Sequence, residues 1–134
     1  MSDNPVHFGT DGWRAIIGET FTFDNVRACA QATAEHFAAT QGTSKHLVVG
    51  YDTRFLSDEF ALAVARILAG NGFSVQLANR PAPTPALSYR IIESGAGGGV
   101  MVTSSHNPYQ WNGIKIKPYY GGSASPDIVD DIEQ

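Results

Sequence analysis

Residues 46–54 read HLVVGYDTR, a short and nearly continuous apolar run that breaks into a polar turn. A strand buried on both faces has this pattern, because neither side of its pleat meets water. Working forward, Ser57 with Asp58 and Glu59 opens a helix whose stripe is Phe60, Val64, Ile67 and Leu68, and Gly70-Asn71-Gly72 closes it. The run FSVQLA at 73–78 alternates at Phe73, Val75 and Leu77 and reads as a second strand. Three prolines stiffen RPAPTPA at 80–86, where Thr84 before Pro85 suits the N-cap and first turn of a helix carrying Leu87, Ile91 and Ile92. The cluster GAGGG at 95–99 then leads into the strand VMV. These glycines precede a strand and do not open a helix, so they are no dinucleotide fingerprint and read as a flexible turn.

Strand, helix, strand, helix, strand is the βαβαβ pattern, and right-handed crossovers make its strands parallel neighbours. Ligands in such sheets gather outside the carboxyl ends of the strands. The three loops leaving that edge are 51–54, 80–84 and 103–108, so Ser105 is expected to share an edge with Arg54.

Upstream, Thr22 suits an N-cap, Asp24 the first turn, and Phe21 can staple onto Val26. Val26, Cys29, Ala30, Thr33 and Phe37 form a helical stripe that Gly42 ends. Cys29 is assigned to packing, and His36 is expected to face solvent. Before it, VHF and WRAII flank GTDG, where Asp11-Gly12 is a hairpin turn that would set Arg14 at the start of the return strand. Arg14 there either faces an anion or is an ordinary surface arginine. At the far end Ser125, Pro126 and Asp127 start a helix with the stripe Ile128, Val129 and Ile132, and the sequence stops without a C-cap signal. That ending reads as one domain of a longer chain. The fold expected for 1–134 is a three-layer α/β/α domain with a central mixed, largely parallel sheet and an N-terminal hairpin.

The 134 residues allow one domain with a real core. With 43% hydrophobic and 16% charged residues the composition is globular, and a net charge of -4 gives no basic footprint for nucleic acid. A single cysteine excludes an internal disulfide. The N-terminus has no targeting pattern and no run is long enough to cross a bilayer, which favours the cytoplasm and no membrane partner.

Residues 98–117, GGVMVTSSHNPYQWNGIKIK, hold the candidate chemistry: a strand, a loop with Ser104, Ser105 and His106, and a strand bearing Lys115 and Lys117. One reading is an ordinary loop turned by Asn107-Pro108. A serine hydrolase is disfavoured, because adjacent Ser and His seldom align and no G-x-S-x-G elbow is present. In the third reading a serine oxygen holds or attacks a phosphoryl group, and Arg14, Arg54, His106, Lys115 and Lys117 are available as positive charge.

FGTDGWRA, GYDTR, APTPA and TSSHNP followed by NGIK, in that order, resemble the first domain of the α-D-phosphohexomutases, the phosphoglucomutase/phosphomannomutase family. The resemblance covers almost the whole chain. It implies that Ser105, directly before His-Asn-Pro, carries a phosphoryl group that passes to a hexose 1- or 6-phosphate. The resulting bisphosphate then returns its other phosphate to the serine. It implies further that Arg14 and Lys115 lie beside the phosphoserine and that His106 polarises the loop. Thr103, Ser104, Asn107, Pro108 and Arg54 support the loop, Arg54 through a salt bridge or as a ligand contact, while Lys117 is mostly solvated.

By the same resemblance Mg2+ contacts the phosphate of Ser105, with its other ligands outside this chain, and a hexose 1,6-bisphosphate is the activator. The partners implied are a hexose phosphate substrate and the remaining domains of a four-domain enzyme, without which this domain is expected to be inactive. The alternatives are a phosphoglucosamine mutase domain and a non-catalytic sugar-phosphate binding module.

Overall fold

The computed structural model describes residues 6, 12–39, 45–81, 83–103 and 111–118. In order these form β1 (Trp13–Ile16), α1 (Phe23–Ala39), β2 (His46–Tyr51), α2 (Ser57–Gly70), β3 (Ser74–Leu77), α3 (Thr84–Ser94), β4 (Gly98–Val102) and β5 (Trp111–Pro118). The strands make one sheet in the order β1-β5-β4-β2-β3. β2 is parallel to both β3 and β4, and β5 is antiparallel to β4 and β1. The expected parallel βαβαβ unit is present, with its first strand in the middle. The expected N-terminal hairpin and terminal helix fall outside the described residues.

The registers sort side chains onto two faces, since paired residues point the same way. Leu47, Val49, Val100, Val102, Ile114 and Ile116 belong to the larger core cluster with the buried stripes of α1 and α2. Trp13 and Phe21 have ring centroids 4.8 Å apart, and Phe21 and Phe60 4.7 Å, so an aromatic chain ties β1 to α2. On the other face Val48 and Met101 pack with Leu87, Ile91 and Ala96 of α3 and its exit. Helices on both faces make the three layers.

The helices start and stop for local reasons. Thr22 caps α1 as expected: its Oγ1 accepts from the Asn25 N–H at 3.2 Å. The stripe Val26, Cys29, Ala30, Thr33 and Phe37 is buried throughout, and His36 is half-buried, its ring edge-on to Phe37. α3 departs from expectation at two points. Its N-cap is Pro83 with no side-chain cap bond, so Thr84 is the first helical residue. Ile92 is 61% exposed, because α3 turns only the narrow stripe of Leu87 and Ile91 inward.

The glycine cluster is also different from a flexible turn. Gly95, in the left-handed region, ends α3, and the Ala96 N–H donates to the Ile91 carbonyl at 3.1 Å. Gly98 and Gly99 lie inside β4, where a Cβ on Gly99 would come 2.5 Å from the Val48 carbonyl oxygen and 2.9 Å from Ile91 Cδ1. Gly99 is closed over by the sheet and α3, and Gly98 by the Lys117 carbonyl and the Phe37 ring of α1.

Candidate functional site

β2, β3 and β4 run parallel, so their carboxyl ends at Tyr51, Leu77 and Val102 lie at one edge of the sheet. There the loop 52–56 meets Thr103, the last described residue before 104–110. Ser104, Ser105, His106, Asn107 and Pro108 lie outside the described residues; the structure defines the groups flanking them.

Asp52 is the hub of those groups. Its Oδ1 accepts from the Arg54 N–H at 3.0 Å and from Ser57 Oγ at 2.8 Å. Its Oδ2 accepts from Thr103 Oγ1 at 2.6 Å and pairs with Arg54 Nε at 3.4 Å. Ser57 Oγ in turn accepts from Asn112 Nδ2 at 2.8 Å, and Asn112 Oδ1 accepts from the Gly113 N–H at 2.9 Å. The backbone reinforces the link, since the Thr103 N–H donates to the Gly113 carbonyl at 2.9 Å. Ser57, Thr103 and Asn112 are buried, and the bonds made by Asn112 are fully enclosed, whereas those to Asp52 are partly so. Leu56, left-handed at φ 63°, makes the tight turn that brings Ser57 back under Asp52.

Arg54 pairs with Asp52 within its own loop, 52–56. Asp52, Ser57 and Asn112 escaped sequence reading. Asp52 and Ser57 are five residues apart, but the bonds from Thr103 and Asn112 close 51 and 55 residues of chain.

The sheet also brings Arg14 and Lys115 together. Arg14 pairs with Gly113 in the β1–β5 register, and extending that register by one residue sets Gly12 opposite Lys115. Both cations therefore lie on the α3 face of adjacent strands. Each runs along a glycine of the other strand: a Cβ on Gly113 would come 2.9 Å from Arg14 Cγ, and one on Gly12 would come 3.1 Å from Lys115 Cγ. The matched tripeptides Gly12-Trp13-Arg14 and Gly113-Ile114-Lys115 were the available sequence signal. Lys115 is 8% exposed and Lys117 7%, which corrects the expectation that Lys117 is solvated. The two lysines, opposite Met101 and Gly99 of β4, project to the α3 side of the sheet.

At this edge, then, two basic side chains lie on one face, and Thr103 and Asn112 are tied to a carboxylate hub. That arrangement suits anion handling. Residues 5–134 match the family described as phosphoglucomutase/phosphomannomutase, alpha/beta/alpha domain I. The chain belongs to this family.

Among relatives of this phosphohexomutase domain, it is 33% identical over 133 residues to a phosphoglucomutase of Staphylococcus saprophyticus, covering 95% of this chain and 23% of that protein. It is 38% identical over 134 residues to a phosphoglucosamine mutase of Vibrio cholerae, covering 99% and 29%. The crystal structure of a Thermus thermophilus protein described as a phosphomannomutase superposes with a TM-score of 0.92 at 43% identity, over 99% of this chain and 30% of that one. The chain thus spans roughly a quarter of the length of the curated relatives it matches.

Among the described residues no three His, Cys, Asp or Glu side chains come together as metal ligands. Asp52 is engaged by Thr103, Ser57 and Arg54. The described residues do not form a complete Mg2+ site. Also among the described residues, no helix is long and apolar enough to cross a membrane.

Proposed function

We propose that this chain is the catalytic-serine domain of a cytoplasmic phosphohexomutase that interconverts hexose 1- and 6-phosphates. Ser105 carries the phosphoryl group. Its O–P bond breaks as a substrate hydroxyl oxygen forms the new one, the hydroxyl proton leaves to a base, and Ser105 recovers a proton. The hexose 1,6-bisphosphate then gives its other phosphate back to Ser105, and the same compound recharges an unphosphorylated enzyme as activator. Arg14 and Lys115 stabilise charge on the transferring group, His106 polarises the loop, and Thr103, Ser104, Asn107, Pro108 and Arg54 hold it. Mg2+, bound in part through the Ser105 phosphate, would neutralise further charge, with its carboxylates supplied by another domain.

The observation that carries this reading is the pair of cations on one sheet face at Gly113, whose carbonyl accepts from the Thr103 N–H, with each cation seated on a glycine of the opposite strand. Phosphoryl transfer depends on such positioned positive charge. A non-catalytic sugar-phosphate module would have no chemical need for Ser105, His106 and Lys115 together. A phosphoglucosamine mutase is the second reading, supported by the Vibrio cholerae relative. Intact and peptide mass spectrometry of the whole protein after exposure to glucose 1,6-bisphosphate tests the assignment. Phosphate is expected on Ser105, and Ser105→Ala should abolish turnover while leaving the fold intact. Phosphate on Ser104, or none in an active enzyme, overturns it.

A further inference from the structure

We propose that Asp52 is a positioning residue for the reaction: its ionised carboxylate, through Thr103 on one side and Ser57–Asn112 on the other, fixes both flanks of 104–110. This rests on the reading of Ser105 as the phosphate carrier.

The chemistry of the hub is directional. An ionised carboxylate only accepts, so Thr103 Oγ1 and Ser57 Oγ must both donate to it. Ser57, having spent its proton, accepts from Asn112 Nδ2, and the Gly113 N–H fixes which end of the Asn112 amide is oxygen. Every donor in the chain points toward Asp52. An asparagine there has one acceptor and one donor end, and neither orientation works. With its NH2 at the Oδ1 position it faces the Arg54 N–H and competes with Asn112 for Ser57. With its NH2 at the Oδ2 position it faces Arg54 Nε and reverses Thr103. Asp52→Asn, nearly isosteric, therefore loosens the segment.

The experiment compares Asp52→Asn, Thr103→Val and Thr103→Ser in the intact protein, with Val64→Ala as a buried α2 control outside the network. Two readouts are taken: hydrogen exchange of peptides spanning 104–110, and the rate at which Ser105 gains phosphate from glucose 1,6-bisphosphate. Asp52→Asn and Thr103→Val should quicken exchange and slow phosphate uptake about 10- to 100-fold, the cost of a small misplacement of reacting groups. The bisphosphate concentration for half-maximal rate should move less than about three-fold, since the effect falls on positioning and not on uniform binding. Thr103→Ser, which restores the hydroxyl, should recover most of the loss, and Val64→Ala should move neither readout. Unchanged exchange in both Asp52→Asn and Thr103→Val overturns the inference, as does quickened exchange with uptake within about two-fold of wild type. If wild-type protein takes no phosphate on Ser105, the proposed function falls, and exchange alone decides the role of Asp52.

Discussion

Cys29 shows how burial removes reactivity from a nucleophile. It is enclosed in the stripe of α1, and desolvation pushes its thiol from 9.0 up to about 12, with a hydrogen bond from the Thr33 side chain pulling the other way. The raised value keeps the native thiol neutral, so the associated stability is complete below about pH 9 and is lost as pH rises toward 12. Iodoacetamide should therefore label Cys29 in native protein at pH 9 at least about 100-fold more slowly than in urea, because the thiolate is the nucleophile. Comparable rates would show an accessible, ionised thiol. This residue was legible in the sequence because a small apolar side chain on a helical stripe has one place to go. Lys117 was not, because lysine type predicts solvent and nothing in its spacing marks it as buried.

Among the elements, β4 depends on what it lacks. A methyl at Gly99 meets the Val48 carbonyl and Ile91 Cδ1, so Gly99→Ala should cost about 1–3 kcal/mol by overpacking, read as a lower urea midpoint. Gly70→Ala, at a helical site with nothing within 4 Å of the added carbon, should be neutral or stabilising. Equal midpoints for the two variants would contradict the packing account of the cluster. Periodicity had exposed the stripes of α1 and α2, since apolar side chains mark their own buried face. It is blind to a strand whose buried positions carry no side chain, and 95–99 therefore read as a turn. α3 differs too, since Ile92 continues an apolar pattern but lies outside the inward stripe of Leu87 and Ile91.

Across the whole molecule, crossover handedness was enough to place three strand ends at one edge, and that edge is where Asp52, Arg54 and Thr103 meet. The antiparallel return of β5 and its pairing with β1 were not given by the βαβαβ pattern, yet they bring Arg14 and Lys115 onto one face. Such non-local pairings leave no fixed spacing in a sequence. They also define one wall only: the cations lie on a single sheet face, and the chain spans 23% and 29% of two full-length relatives. Phosphoryl transfer needs charge stabilised around the transferring group and water kept out, which one wall does not achieve. On the proposed function, the 134-residue chain by itself should show no conversion of glucose 1-phosphate in a coupled assay, under conditions where a full-length relative turns over. Turnover by this chain at the rate of a full-length relative would mean that the domain closes its own active site, and the proposed multi-domain account of the reaction would have to be abandoned.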